Sequence, residues 1–180
     1  MKKLLLLMIT CVNTAFSQDV SLIEKELLRL IQEERTKAGL DEVVHLEILD
    51  RTAEIQATYL STLNNIYHVS HSHPNKSLET VEQRYLSLRK DDIHTYMGEN
   101  ITVFGYQPSK GDLLTALHAH TNFMGSKGHA IRVMSNPTCS FSEDKPSYNY
   151  GHCIIYDKET EWIIVVQVFQ VRFDVCRYNP

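Results

Sequence analysis

No stretch of this 180-residue sequence is apolar for long enough to cross a bilayer as a helix, which takes about 20 residues. An excess of basic charge is missing too. Lys and Arg number 18 against 22 Asp and Glu, for a formal net charge of −4. That removes the positive footprint on which nucleic-acid binding rests and the attraction to anionic lipid. The chain has four cysteines but no C-x-x-C spacing, which argues against a structural zinc cage. There is no internal repeat and no low-complexity tract.

What is present begins at the N-terminus. Lys2 and Lys3 supply positive charge, Leu4 to Thr10 form a short apolar run, and Ala15-Phe16-Ser17 places small residues two apart. This is the layout of a cleaved secretory signal peptide over residues 1–17. A lipoprotein anchored at Cys11 is the rival, but Ile9-Thr10 makes a poor lipobox. Residues 18–180 are then one domain, long enough to bury a core unaided, and the protein is expected to be secreted, extracellular or periplasmic. Cys139, Cys153 and Cys176 remain after cleavage, an odd number, so one disulfide and one free thiol are the default in an oxidising compartment.

Helical periodicity is clear in three places. Ile23, Leu27, Leu30 and Ile31 recur on a first helix, with Ser21 and Glu24 as a capping box and Gly39 as its stop. Residues 46–63 carry a stripe of Leu46, Leu49, Ala53, Ala57 and Leu60. Residues 110–124 place Leu113, Leu117 and Met124 on one face. A polar loop spans 64–77, and a short helix is expected near 79–88. Ile101 to Phe104 is a short β run, and one more helical turn is expected at 130–134.

The C-terminal third holds the strongest β signal. Cys153 to Tyr156 and Trp162 to Val171 read as a hairpin about a five-residue loop. In the second strand Ile163, Val165 and Phe169 point one way, and Trp162, Ile164, Val166 and Val168 the other. Both faces are apolar, so both must be covered. The fold class is therefore α+β: a three-layer α-β-α sandwich with a small antiparallel sheet between helices. A turn centred near residue 159 places Cys153 opposite Val165, which leaves Cys139–Cys176 as the favoured pairing and Cys153 as a buried free thiol.

Nine histidines dominate the candidate chemistry, since imidazole is a common ligand for zinc and copper. His68, His71 and His73 crowd one loop, which reads as a metal site or as a polar surface loop. His120 reads as a half-buried packing residue. Glu99, in Gly98-Glu99-Asn100, reads as a general base or ligand, or as an acceptor fixing the local backbone. Ser126 and His129 stand three apart, a conceivable nucleophile–base pair, although N-capping is the commoner job for such a serine. His152 and Cys153 are strand neighbours on opposite faces and cannot form such a pair.

The order of these pieces is more specific than any one of them. An L-x-x-I-x-x-E-R helix is followed by L-x-x-x-A-x-x-x-A, Ser70-His71-Ser72, Arg84, Gly98-Glu99-Asn100-Ile101, Phe123-x-x-Ser126-x-x-His129 and Val166-Gln167-Val168-Phe169. This resembles the CAP superfamily of cysteine-rich secretory, antigen 5 and pathogenesis-related proteins, in its bacterial SCP-like branch, over about residues 22–170. The resemblance implies an α-β-α sandwich with a cleft of two histidines and one or two acids able to hold a divalent metal such as zinc. It maps the metal residues to His71, Glu99 and His129, with His152, His68 and His73 in second rank. His152 enters through a Gly-His dipeptide like that of the eukaryotic branch. Three departures stand out: Phe123 replaces the usual tryptophan, Gln32 replaces the usual asparagine, and no acid stands near Ser126 where the second glutamate is expected.

Three functions follow. The first is a non-catalytic binding domain that engages an extracellular protein or small ligand through the cleft. The second is a metal-assisted, peptidase-like hydrolase whose catalytic residues are Glu99, His71 and His129. The third is a lipid or sterol carrier, for which the sequence shows no unpaired apolar face. A monomer is expected.

Overall fold

The computed structural model describes residues 20–63, 69–89, 95–136 and 147–172. The signal-peptide reading, Cys11, His68, and the proposed partners Cys139 and Cys176 all fall outside them. Helix α1 spans Val20–Lys37, so Ser21 lies inside the helix and not at its cap. Its end is as read. Gly39 has φ +70, its N–H donates to the Thr36 carbonyl at 3.0 Å, and the Leu40 N–H donates to the Arg35 carbonyl at 2.9 Å. That is a complete Schellman stop.

Strand β1 is two residues, Val44–His45, and leads into α2, Glu47–Ser61. Helix α3, Val81–Leu88, is opened by a capping box of Thr80 and Gln83. Strand β2 runs Thr95–Gly105, longer than the Ile101–Phe104 run suggests, because Gly98, Glu99 and Asn100 are strand residues. Helices α4, Gly111–Gly125, and α5, Lys127–Val133, meet at Ser126. This serine holds the N-cap position of α5 but makes no side-chain cap bond.

Strands β3, Tyr148–Asp157, and β4, Trp162–Arg172, form the hairpin. Asp157 shapes its loop by accepting from the Glu159 N–H at 2.9 Å and the Thr160 hydroxyl at 2.6 Å. Cys153 pairs with Val166, one position beyond the expected Val165, and is a free thiol. Burial pushes its pKa up to about 12, so it is an inert packing group.

The sheet order is β1-β3-β4-β2. It is mixed, not purely antiparallel, because β1 pairs parallel to β3. Both faces of β4 are covered, as the sequence requires. Ile163, Val165 and Phe169 pack with Ile23, Leu27 and Ile31 of α1 and Ala116, Ala119 and Phe123 of α4. Ile164, Val166 and Val168 pack with Leu49, Ala53 and Ala57 of α2 and Tyr85 of α3. Gln32, where the resemblance expects asparagine, ties α1 to the Val43 backbone. Its amide donates to the Val43 carbonyl at 2.9 Å and accepts from the Val43 N–H at 3.1 Å.

One apolar face is corrected. Helix α4 buries Thr115, Ala116, Ala119, His120 and Phe123, whereas Leu113, Leu114 and Leu117 are exposed. Small residues face inward because α4 lies against α1, and close helix approach favours alanine over leucine.

His120 is buried on that inward face, and its Nδ1 has no partner. Desolvation lowers its pKa from the usual 6.5, with Glu34 opposing, Lys37 reinforcing and Glu33 opposing. The fold therefore favours the neutral ring. This stability is fully present above the unfolded value of about 6.5 and is lost as pH falls below it. His120→Gln is expected to reduce the acid-side slope of stability against pH relative to the unaltered chain. Parallel urea titrations at several pH values measure it, and an unchanged slope contradicts it.

Candidate functional site

Glu99 is the centre of the first cleft. It lies on the α2/α3 face of edge strand β2, opposite Val168 of β4, and is 5% exposed. Both carboxylate oxygens are engaged. Oε1 faces the Nδ1 of His71 at 3.0 Å, and Oε2 accepts from the Arg84 guanidinium in a very short contact. Arg84 is fully buried. From α3 it also donates to the carbonyls of His71, Leu78 and Glu79 at 3.2–3.3 Å. Gln56 of α2 adds a 2.7 Å bond to the Ser70 carbonyl. These two buried polar side chains tie residues 70–79 to α2 and α3.

Of the two described loop histidines, His71 is the one that reaches Glu99. His73 packs on Tyr59, with ring centroids 4.9 Å apart, and its Nδ1 accepts from the Asn75 N–H at 3.1 Å. Burial lowers its pKa, and the Arg84 charge lowers it further. His129 lies on α5. Its ring meets Phe123 edge-on at 5.6 Å, and its carbonyl accepts from the Asn100 amide at 3.2 Å. Burial lowers its pKa first, and the electrostatic influence of the neighbouring His71 and Arg132 side chains lowers it further. The opening between these elements is a hollow of about 240 Å³ lined by His71, Ser72, Glu79, Glu82, Glu99 and Arg132, among others.

The resemblance assigns a divalent metal to His71, Glu99 and His129. His71 and Glu99 meet at 3.0 Å, and His129 is not gathered with them into a group of three close ligand atoms. Among the described residues, the one group of three ligand atoms lying within 4.8 Å of one another is elsewhere. Glu99 is already neutralised by a buried guanidinium that occupies one of its oxygens.

That other group is His45, Asp50 and His152. His45 ends β1, Asp50 sits in the first turn of α2, and His152 lies on β3. Asp50 Oδ1 is 2.9 Å from His45 Nε2 and accepts from the His152 backbone N–H at 2.8 Å. The two imidazoles stack with centroids 5.5 Å apart at 25°. His152 is 6% exposed, and burial lowers its pKa to about 4. Sequence reasoning reached His152 only through its Gly-His dipeptide and missed His45 and Asp50. The one signal available was a histidine five residues before an aspartate at a helix start. Arg84 was legible as a motif residue but not as the partner of Glu99.

No family model matches the sequence, and no curated protein matches it either. Solved structures do resemble it. An outer surface protein from Borrelia burgdorferi superposes with a TM-score of 0.62 at 19% identity, over 86% of this chain and 96% of that one. An extracellular protein containing an SCP domain from Bacillus anthracis gives 0.55 at 21% identity, over 84% of this chain and 41% of that one. A cysteine-rich secretory protein from Staphylococcus aureus gives 0.50 at 16% identity, over 84% of this chain and 38% of that one. This chain thus spans about two fifths of the length of the latter two. At such identities the likeness is one of architecture, and the chain has the α-β-α fold of bacterial SCP (CAP) domains.

Proposed function

We propose that this chain is an exported CAP-fold binding domain that holds a protein segment or small ligand in the Glu99 cleft without transforming it. The supporting observation is the state of Glu99. Buried Arg84 takes one oxygen and His71 the other, so the carboxylate acts as a fixed counter-ion that shapes the cleft. A general base must be within reach of a substrate proton, and this one is 5% exposed behind its partners. The signal-like N-terminus and the extracellular or surface descriptions of the similar structures support export.

One observation favours hydrolysis as a second reading. A carboxylate on Nδ1 leaves the opposite nitrogen of His71 turned towards solvent, and the His71 side chain is 56% exposed. An oriented imidazole of that kind can act as a base. The test is turnover of nitrophenyl esters and fluorogenic peptides by the purified chain, compared with His71→Ala. Rates equal to the blank in both are expected. Turnover that disappears in His71→Ala overturns the binding-only reading.

A further inference from the structure

We propose that His45, Asp50 and His152 form a binding site for a first-row divalent transition metal, separate from the Glu99 cleft. The two lie at opposite edges of the sheet. Glu99 is on edge strand β2, while His45 is on edge strand β1 and His152 on its neighbour β3. They also open on opposite faces. Glu99 is level with Val168, which packs under α2 and α3. His152 shares its face with Tyr150 and Ile154, which pack with α1.

Local structure brings the three residues together. His45 pairs with Tyr150, and the Leu46 N–H donates to the Tyr150 carbonyl at 2.9 Å. The chain then turns straight into α2 and presents Asp50 one turn later. Gly151 lets β3 lie directly on the Leu49–Asp50 backbone, which sets His152 beside the carboxylate. The result opens on a hollow of about 370 Å³ whose other wall is Ser21, Glu24, Lys25 and Leu28 of α1.

A surface ion pair between His45 and Asp50 explains two of these side chains but not the third. His152 is 94% buried by its 6% exposure, and its Nδ1 has no hydrogen-bond partner. Leaving a buried nitrogen unpaired is costly, and such groups in folded proteins ordinarily have a partner or a function. An imidazole nitrogen without a hydrogen-bond partner can offer a lone pair, which is what a metal needs.

The donor set then selects the class of ion. Two imidazoles and one carboxylate suit zinc, cobalt, nickel or iron, whereas calcium and magnesium favour all-oxygen sets. Ligand atoms about 2 Å from a tetrahedral ion sit roughly 3.3 Å apart. The three here lie within 4.8 Å, so a modest inward movement completes the set. His45 can supply it, since its side chain is 42% exposed on a two-residue strand. Three protein ligands leave a position open towards the hollow, available to water or a small anion.

The test uses the tag-free chain stripped with chelator. It is titrated calorimetrically with Zn2+ and followed by visible absorption with Co2+. One equivalent is expected to bind, with imidazole-type Co2+ absorption and a raised Tm. His45→Ala, an exposed change that leaves the metal-free Tm in place, is expected to weaken binding at least tenfold and abolish the Tm rise. Asp50→Asn is expected to weaken it likewise, while His71→Ala and His129→Ala leave it unchanged. Absence of saturable binding, or binding that survives His45→Ala, overturns the proposal. So does binding that is lost in His71→Ala.

Discussion

Gly151→Ala is expected to destabilise the fold by about 2–4 kcal/mol, read as a lower urea midpoint. A Cβ at this position falls 2.4 Å from Leu49 Cβ, 2.5 Å from the Asp50 nitrogen and 2.5 Å from the Leu49 carbonyl carbon. Two of those three atoms are helix backbone, which cannot rotate aside. The strand or the helix must move as a body, and Leu49 at their contact is fully buried. Overpacking a core typically costs about 1–3 kcal/mol, occasionally more, and backbone on the receiving side places this change at the upper end. Gly39→Ala is the control. Nothing lies within 4 Å of its Cβ, but φ is +70, so its cost is backbone strain of about 1–2 kcal/mol. A loss below about 0.5 kcal/mol for Gly151→Ala contradicts the close approach. The same change is expected to weaken metal binding at His45, Asp50 and His152, because it separates His152 from Asp50.

The difference between those two glycines marks how far the sequence could be read. Gly39 was legible because a helix stop is a local event: apolar periodicity ends and a left-handed residue follows. The double-faced β4 was legible for a similar reason, since Ile163 to Phe169 is apolar at every position but Gln167, and such a strand demands cover on both sides. Gly151 carried no such mark, because its role depends on a helix about a hundred residues away. Helix α4 misled for a related reason. Leu113 and Leu117 outweigh Ala116 and Ala119 on any hydropathy scale, yet the alanines pack against α1 because close approach selects size over apolarity. Glu99 and His71 were found through an ordered motif. Their partner Arg84 was not understood, since nothing local says that an arginine in an eight-residue helix is fully buried. His45 and Asp50 were invisible because β1 has only two residues and its parallel pairing with β3 is non-local.

Glu99→Gln is expected to cost about 3–5 kcal/mol, the usual penalty when one member of a buried ion pair is removed and the other charge stays behind. Gln keeps the shape but not the charge, while Arg84 remains at 0% exposure. Arg84→Met is expected to cost at least as much, for a different reason. It strands the carboxylate and also releases the carbonyls of His71, Leu78 and Glu79. Arg84→Lys does not rescue it, because a single ammonium cannot span the carboxylate and three carbonyls as a guanidinium fork does. The double change Arg84→Met with Glu99→Leu is expected to destabilise less than the sum of the single changes, by about 1–3 kcal/mol of coupling. It does not restore full stability, since the three carbonyls remain unserved. Hydrogen exchange separates the effects. Glu99→Gln lowers protection broadly, whereas Arg84→Met lowers it most in residues 69–79, the segment Arg84 ties down. If both single changes cost under about 1 kcal/mol, or if the double change is strictly additive, the buried pair is not what organises the cleft. The same cycle bears on function. A Glu99 held mainly by Arg84 stays in place when His71→Ala is introduced, so that variant alters the cleft opening without collapsing it.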